Sequence, residues 1–260
     1  MIKDTAIHTE MADSLLVRVY ANRQALGEAA GLEAATAIRA LLASKRSVRI
    51  IFAAAPSQNE FLDTLALAPD IDWTRITAFH MDEYIGLPAG SPQLFSTYLQ
   101  ERLFNRVQPG VVHYIQPGGD LDAECMRYGE LLAEAPIDIV CLGIGENGHL
   151  AFNDPPVADF HDPVLVKAVT LDSACREQQV NDGCFATLDS VPLQALTLTI
   201  PTLLSAKWLF CMVPGSTKQN AVARTLRDPI STDCPSTILR THADCRLFID
   251  TDSYGMSDLD

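Results

Sequence analysis

The feature that most limits how this chain can fold is a series of short apolar segments without polar alternation. Ser47–Ala53 (SVRIIFA), Ile137–Leu142 (IDIVCL), Lys207–Val213 (KWLFCMV) and Cys245–Asp250 (CRLFID) are dominated by β-branched and aromatic residues. A strand wetted on one face alternates apolar and polar residues, whereas a strand covered on both faces reads as a continuous apolar run. Helical stretches separate these segments. Ala21–Leu42 is rich in Ala, Leu and Glu; NEFLDTLAL follows Pro56-Ser57; another helix is expected from Ser216 to Leu226. The alternation predicts an α/β fold, a Rossmann-like three-layer αβα arrangement around a largely parallel sheet. Arg75–Phe79 (RITAF) and Val164–Leu171 (VLVKAVTL) are read as further strands, the first running into an acidic loop. In open sheets of this kind, ligand sites lie beyond the carboxyl ends of the strands.

No repeat, low-complexity tract or Gly/Ser/Pro linker divides the chain, so residues 1–260 are expected to form a single domain. The net charge of -14 repels phosphodiester backbones and anionic lipid, which excludes nucleic acid and membrane surfaces as natural partners. No apolar run reaches the ~18–20 residues that span a bilayer, and MIKDTAIHTEMADSLL lacks the pattern of a signal peptide. A cytoplasmic location is expected. The seven cysteines contain no C-x-x-C pair, and Cys141 and Cys211 sit inside apolar runs, where cysteine serves as a small hydrophobe. Neither a metal nor a redox cofactor is expected. The last four residues, SDLD, are expected to be a frayed end.

Chemistry concentrates where strands end. In CLGIGENGHLAFNDPP, Gly143, Gly145 and Gly148 match the dinucleotide-binding spacing, with Asp172 placed as the ribose-binding acid. That site needs a helix starting at the glycines, and Pro155, Pro156 and Pro163 interrupt the crossover. What remains is His149 flanked by Asn147 and Asp154, a proton carrier between two polar partners. HMDEYIGLP places Asp82 and Glu83 after a strand; a solvated acidic turn is the plain alternative there, with one side chain inward and one outward. VPGSTK and AAPS each join a strand to a helix start, which offers free N–H groups, and the first adds Lys218. Ser57, Arg176 and Lys218 would have to cluster locally to hold an anion in so acidic a chain, and phosphate is the natural guest.

Three ordered segments, FHMDEYIGLP, DIVCLGIGENGHLAFNDPP and ALTLTIPTLLSAKWLFCMVPGSTKQNAV, resemble the glucosamine-6-phosphate deaminase/isomerase family, and the resemblance runs from about residue 20 to residue 250. A weaker likeness extends to 6-phosphogluconolactonases and to sugar-phosphate sensors of the same fold. The resemblance implies conversion of glucosamine 6-phosphate to fructose 6-phosphate and ammonia, with no cofactor, commonly in a homo-oligomer. It implies that Asp82 moves a proton from C2 to C1, that His149 assists ring opening with Asn147 and Asp154 beside it, and that Ser57, Arg176 and Lys218 hold the phosphate. Asn147 and Asp154 stand where the family has Asp and Glu. The loop AAAPSQ lacks the family's glycines, so strain at an alanine with positive φ is expected there. A lactonase-type hydrolase, with His149 activating water, and a non-catalytic sensor of a hexosamine phosphate remain open alternatives.

Overall fold

The structure, a computed structural model, describes residues 5–256; the SDLD tail lies outside them. Its strands are β1 (His8–Ala12), β2 (Leu15–Tyr20), β3 (Val48–Phe52), β4 (Ile76–His80), β5 (Asp82–Tyr84), β6 (Val111–His113), β7 (Ile139–Leu142), β8 (Val166–Thr170), β9 (Gln194–Leu198), β10 (Trp208–Val213) and β11 (Cys245–Asp250). Eight of them form one sheet in the order β1-β2-β11-β10-β7-β3-β4-β6. Only β1 runs antiparallel to its neighbour; the other pairs are parallel.

Alternate residues of the central strands enter two separate cores. Ile50 and Phe52 of β3, with Phe210 and Met212 of β10, pack on one face against Leu26, Ala30, Ile38 and Phe61. Those residues belong to the helices Arg23–Ser44 and Asn59–Leu67. Ile51, Val140, Leu142 and Cys211 pack on the other face against Tyr128, Leu132, Ala221 and Val222, from the helices Leu121–Ala133 and Gln219–Arg227. Burying a large apolar side chain contributes ~1.5–3 kcal/mol, and every residue of β3 and β7 is buried. Both faces are therefore apolar, which is the pattern read from the sequence. The expected three-layer α/β architecture is the one found. The long first helix starts at Asn22, whose side chain accepts from Ala25 N at 3.0 Å.

Two expectations need correction. Val164–Leu171 does not join the parallel sheet. Its core, β8, lies in a second sheet of three antiparallel strands, ordered β5-β9-β8. A parallel return needs a crossover of a dozen or more residues, usually a helix, and residues 143–165 form turns and a short bridge without one. Burial along β8 also varies, with Val166 and Val169 buried and Ala168 exposed. The acidic loop expected after β4 is likewise ordered: the chain leaves the main sheet at Met81 and enters the small one as β5.

The small sheet is tied to the loop after β7. Leu198 N donates to Met81 O at 2.8 Å. Thr197 Oγ1 accepts from Phe152 N at 3.1 Å, and Asn153 Nδ2 donates to Leu198 O at 2.8 Å.

Candidate active site

The carboxyl ends of β3, β4, β7 and β10 lie side by side, and the loops that leave them enclose a cleft of about 520 Å3, part of it open solvent. Ser57, Asp82, His149 and Lys218 all line it. Asn147 and Asp154 stand behind the imidazole.

The histidine owes its place to its own loop. Gly145 N donates to His149 O at 3.0 Å, and Gly148 N donates to Gly145 O at 2.9 Å. Gly148 has φ +86°, a conformation that side chains disfavour. Gly145 is required for space: a Cβ there would lie 2.2–2.4 Å from three atoms of the His149 ring. The ring therefore lies on bare backbone. Its Nδ1 is 2.8 Å from Asn147 Oδ1 and 2.9 Å from Asp154 Oδ1. Asn147 Nδ2 donates to that same Asp154 oxygen at 2.9 Å, which orients the carboxamide with its oxygen toward the ring. Both groups facing Nδ1 are acceptors, so the proton of the neutral imidazole resides on Nδ1 and the lone pair on Nε2. Burial alone would push the Asp154 carboxyl up, but hydrogen bonds from His149, Asn147 and the Cys175 thiol together hold it below its ordinary value. His149, Asp154 and Cys175 have ligand atoms within 4.8 Å of one another, the group among the described residues best able to hold a metal ion.

Asp82 and Glu83 are both buried, so neither is a solvated turn residue. Glu83 caps the helix Phe95–Leu99: its oxygens accept from Tyr84 N, Phe95 N, Ser96 N and Ser96 Oγ at 2.7–3.0 Å. Asp82 faces the cleft. Burial, and then the neighbouring Glu83, push its carboxyl well above the ordinary carboxylate range. A carboxylate raised in this way is a stronger base and, once protonated, a usable acid.

Ser57 and Lys218 occupy matching short 3-10 turns, Pro56–Gln58 after β3 and Ser216–Lys218 after β10. Lys218 is 5 % exposed. Burial lowers its pKa, while the fields of Asp182, Glu146 and Cys175 oppose the shift. The strain expected in the AAAPSQ loop is not found: Ala55 is extended, with φ -156° and ψ 156°.

Arg176 is not brought to the cleft. Its Nη2 donates to Leu188 O at 2.6 Å and to Val191 O at 3.1 Å, so the guanidinium secures the segment that leads into β9. The expectation that it lies with Ser57 and Lys218 is corrected. The cleft receives Gln178 and Gln179 from the same helix, Ser173–Asn181. Sequence reasoning passed over them because a charged neighbour drew attention. The available signal was helical spacing, since Cys175, Gln178 and Gln179 fall on one face and all three are buried.

Fold and cleft together define a three-layer α/β protein that sets a buried carboxyl and an imidazole in one cleft with a buried lysine at the carboxyl edge of its sheet. More particularly, the chain belongs to the family described as glucosamine-6-phosphate isomerases/6-phosphogluconolactonase, which matches residues 21–248. It is 32% identical over 203 residues to a glucosamine-6-phosphate deaminase of Listeria welshimeri, covering 77% of this chain and 84% of the relative. It is 33% identical over 189 residues to one from Streptococcus pneumoniae, covering 72% and 78%. Among solved structures, a monomeric glucosamine-6-phosphate deaminase superposes with a TM-score of 0.84 at 30% identity, covering 93% of this chain and 99% of that one. A 6-phosphogluconolactonase from Thermotoga maritima reaches 0.75 at 20% identity, covering 91% and 99%, a likeness of fold alone.

Proposed function

We propose that this chain, acting as one domain, is an amino-sugar-phosphate isomerase/deaminase that converts glucosamine 6-phosphate, or a close hexosamine 6-phosphate, to fructose 6-phosphate and ammonia. The observation that carries the proposal is the shared cleft: the Asp82 carboxyl and the His149 ring line the same cavity as Lys218 and Ser57. The identity to relatives named as deaminases supports the substrate class.

The placement of these side chains around one cleft supports the following roles. Lys218 and Ser57 hold the phosphate, remote from the reacting carbons, and its binding orients them. His149 takes the proton from O1 through Nε2 and returns it to O5, which breaks the C1–O5 bond and opens the ring. Asn147 and Asp154 keep Nδ1 protonated while this happens. Asp82 takes the C2 proton while O1 gains a proton, giving an enolamine, and delivers its own proton to C1 as the nitrogen gives one up in exchange for the one that O1 gained. The C2 imine that results adds water and releases ammonia. Hydrogen moves from C2 to C1 within the substrate, so no external oxidant is consumed. A positioned acid or base of this kind contributes typically ~10²–10⁴-fold.

A cytoplasmic setting suits a substrate of central metabolism. No helix among the described residues is long and apolar enough to cross a membrane. A homo-oligomer is the assembly that the family resemblance suggests, whereas the similar deaminase above is monomeric; light scattering on the purified protein reads the state. Ammonia release from a panel of hexosamine 6-phosphates tests the function. Turnover of glucosamine 6-phosphate by wild type, and its loss in Asp82→Asn, is the expected result. Lactone hydrolysis without ammonia release would transfer the chain to the lactonase reading, and saturable binding without either turnover would make it a sensor.

A further inference from the structure

We propose that Gln179 is a phosphate ligand of this cleft, a neutral donor that stands where a second cation would be expected. The inference rests on the sugar-phosphate reading above and adds to it the group that completes the anion site.

Three observations carry it. First, Lys218 is the one lysine or arginine among the residues lining the cleft, and Asp182 and Glu146 are close enough for their fields to act on it. A phosphate dianion beside that lysine therefore needs further donors. Second, Arg176 is committed elsewhere: drawing its guanidinium into the cleft would strip the donor from the carbonyls of Leu188 and Val191. Third, Gln179 is 8 % exposed and lines the cleft, yet its carboxamide makes no hydrogen bond to any described residue. Its neighbour differs. Gln178 accepts from Glu146 N at 2.8 Å and donates to Asp182 Oδ2 at 3.3 Å, so its amide is already used. The carboxamide opens only into the cleft, with no protein group to compete for it, so its Nε2 is free to donate to a ligand oxygen.

The helix that bears Gln179 stands beside the lysine. Glu146 joins that helix through its backbone N–H to Gln178, and Asp182 follows its last turn. Ser57, Gln179 and Lys218 thus supply a hydroxyl, an amide and an ammonium from three separate elements. A phosphate has enough oxygens to meet all three, whereas a sugar hydroxyl does not.

The test titrates inorganic phosphate into the full chain by calorimetry, for wild type, Gln179→Leu and Gln179→Glu. The glutamate variant keeps the side-chain shape but sets a carboxylate against the anion, and a thermal melt of each variant reports its folding. The leucine variant is expected to bind phosphate about tenfold more weakly, the loss of one hydrogen bond to a charged group, and the glutamate variant more weakly still. The kcat/KM for glucosamine 6-phosphate falls by about the same factor. Phosphate affinity unchanged in both variants overturns the proposal. So does a fall in kcat with phosphate affinity intact, which would move Gln179 to the reacting carbons. The failure of the functional reading looks different: phosphate still binds through Gln179, and no hexosamine 6-phosphate releases ammonia.

Discussion

Gly145→Ala probes the imidazole through backbone space alone. An ideal Cβ at position 145 falls 2.2 Å from His149 Cε1, 2.3 Å from Nε2 and 2.4 Å from Nδ1, while ordinary contact begins at 3.4 Å. The difference means that the ring must retreat by about 1.2 Å. It has nowhere to pivot, because Nδ1 is held between Asn147 Oδ1 and Asp154 Oδ1. A displacement of ~1 Å at a reacting group costs about 10²-fold in rate. Overpacking by one methyl costs about 1–3 kcal/mol, roughly 2–12 °C in Tm for a chain of this size. Steady-state ammonia release and thermal unfolding read the two effects. The decisive control is His149→Ala with and without the glycine change, since the three nearest atoms that a Cβ at 145 would meet all belong to the ring. In that background the second substitution is expected to cost less stability, a coupling that additive sites cannot show. Gly145→Ala with wild-type kcat/KM, or with an equal stability loss in both backgrounds, would refute the placement of the ring on the Gly145 backbone.

Three further outcomes are expected. Asp82 has a folded-state pKa raised above its unfolded one, so it favours folding fully below the ordinary carboxylate value of ~3.9 and loses that contribution as pH rises through the raised value; Asp82→Asn should therefore match wild type in Tm at acid pH and exceed it at neutral pH, while losing activity. Asn147→Asp sets a carboxylate oxygen 2.9 Å from Asp154 Oδ1 in place of an amide donor, and Tm measured from pH 5 to pH 8 should fall below wild type by roughly 2–8 °C as the second charge develops. Glu83→Ala orphans three donors at the start of the helix Phe95–Leu99 and the Tyr84 N–H of β5, a loss of about 3 kcal/mol or more by denaturant titration, with Glu83→Gln losing less.

What the sequence revealed follows the physics of each element. β3, β7, β10 and β11 were legible because burial on both faces leaves a continuous apolar run. The small sheet was not: β5 has three residues, β8 varies in burial, and their pairing with β9 is a long-range event that no local pattern records. The hairpin of β1 and β2 escaped notice because its turn at Asp13, with φ +52°, lacks the usual glycine. At the site, His149, Asn147 and Asp154 come from one short loop, so their proximity could be read from spacing. Arg176 and Gln179 could not be separated that way. They share a helix, and which face meets the cleft depends on how that helix docks. The expected strain at Ala55 failed because the backbone there is extended.

Asp82 lies in the small sheet and His149 in the loop after β7, and β9 ties the two together: Thr197 pairs with Asp82 across the ladder and accepts from Phe152 N in the histidine's loop. That strand works as a caliper whose jaws are the Asp82 carboxyl and the His149 ring. Its setting is fixed by side chains that never meet the substrate, so the most damaging lesions to turnover need not lie in the cleft. A screen for slow but stable variants would be expected to return to Thr197 and Asn153, two fully buried residues that an inspection of the cavity wall would pass by.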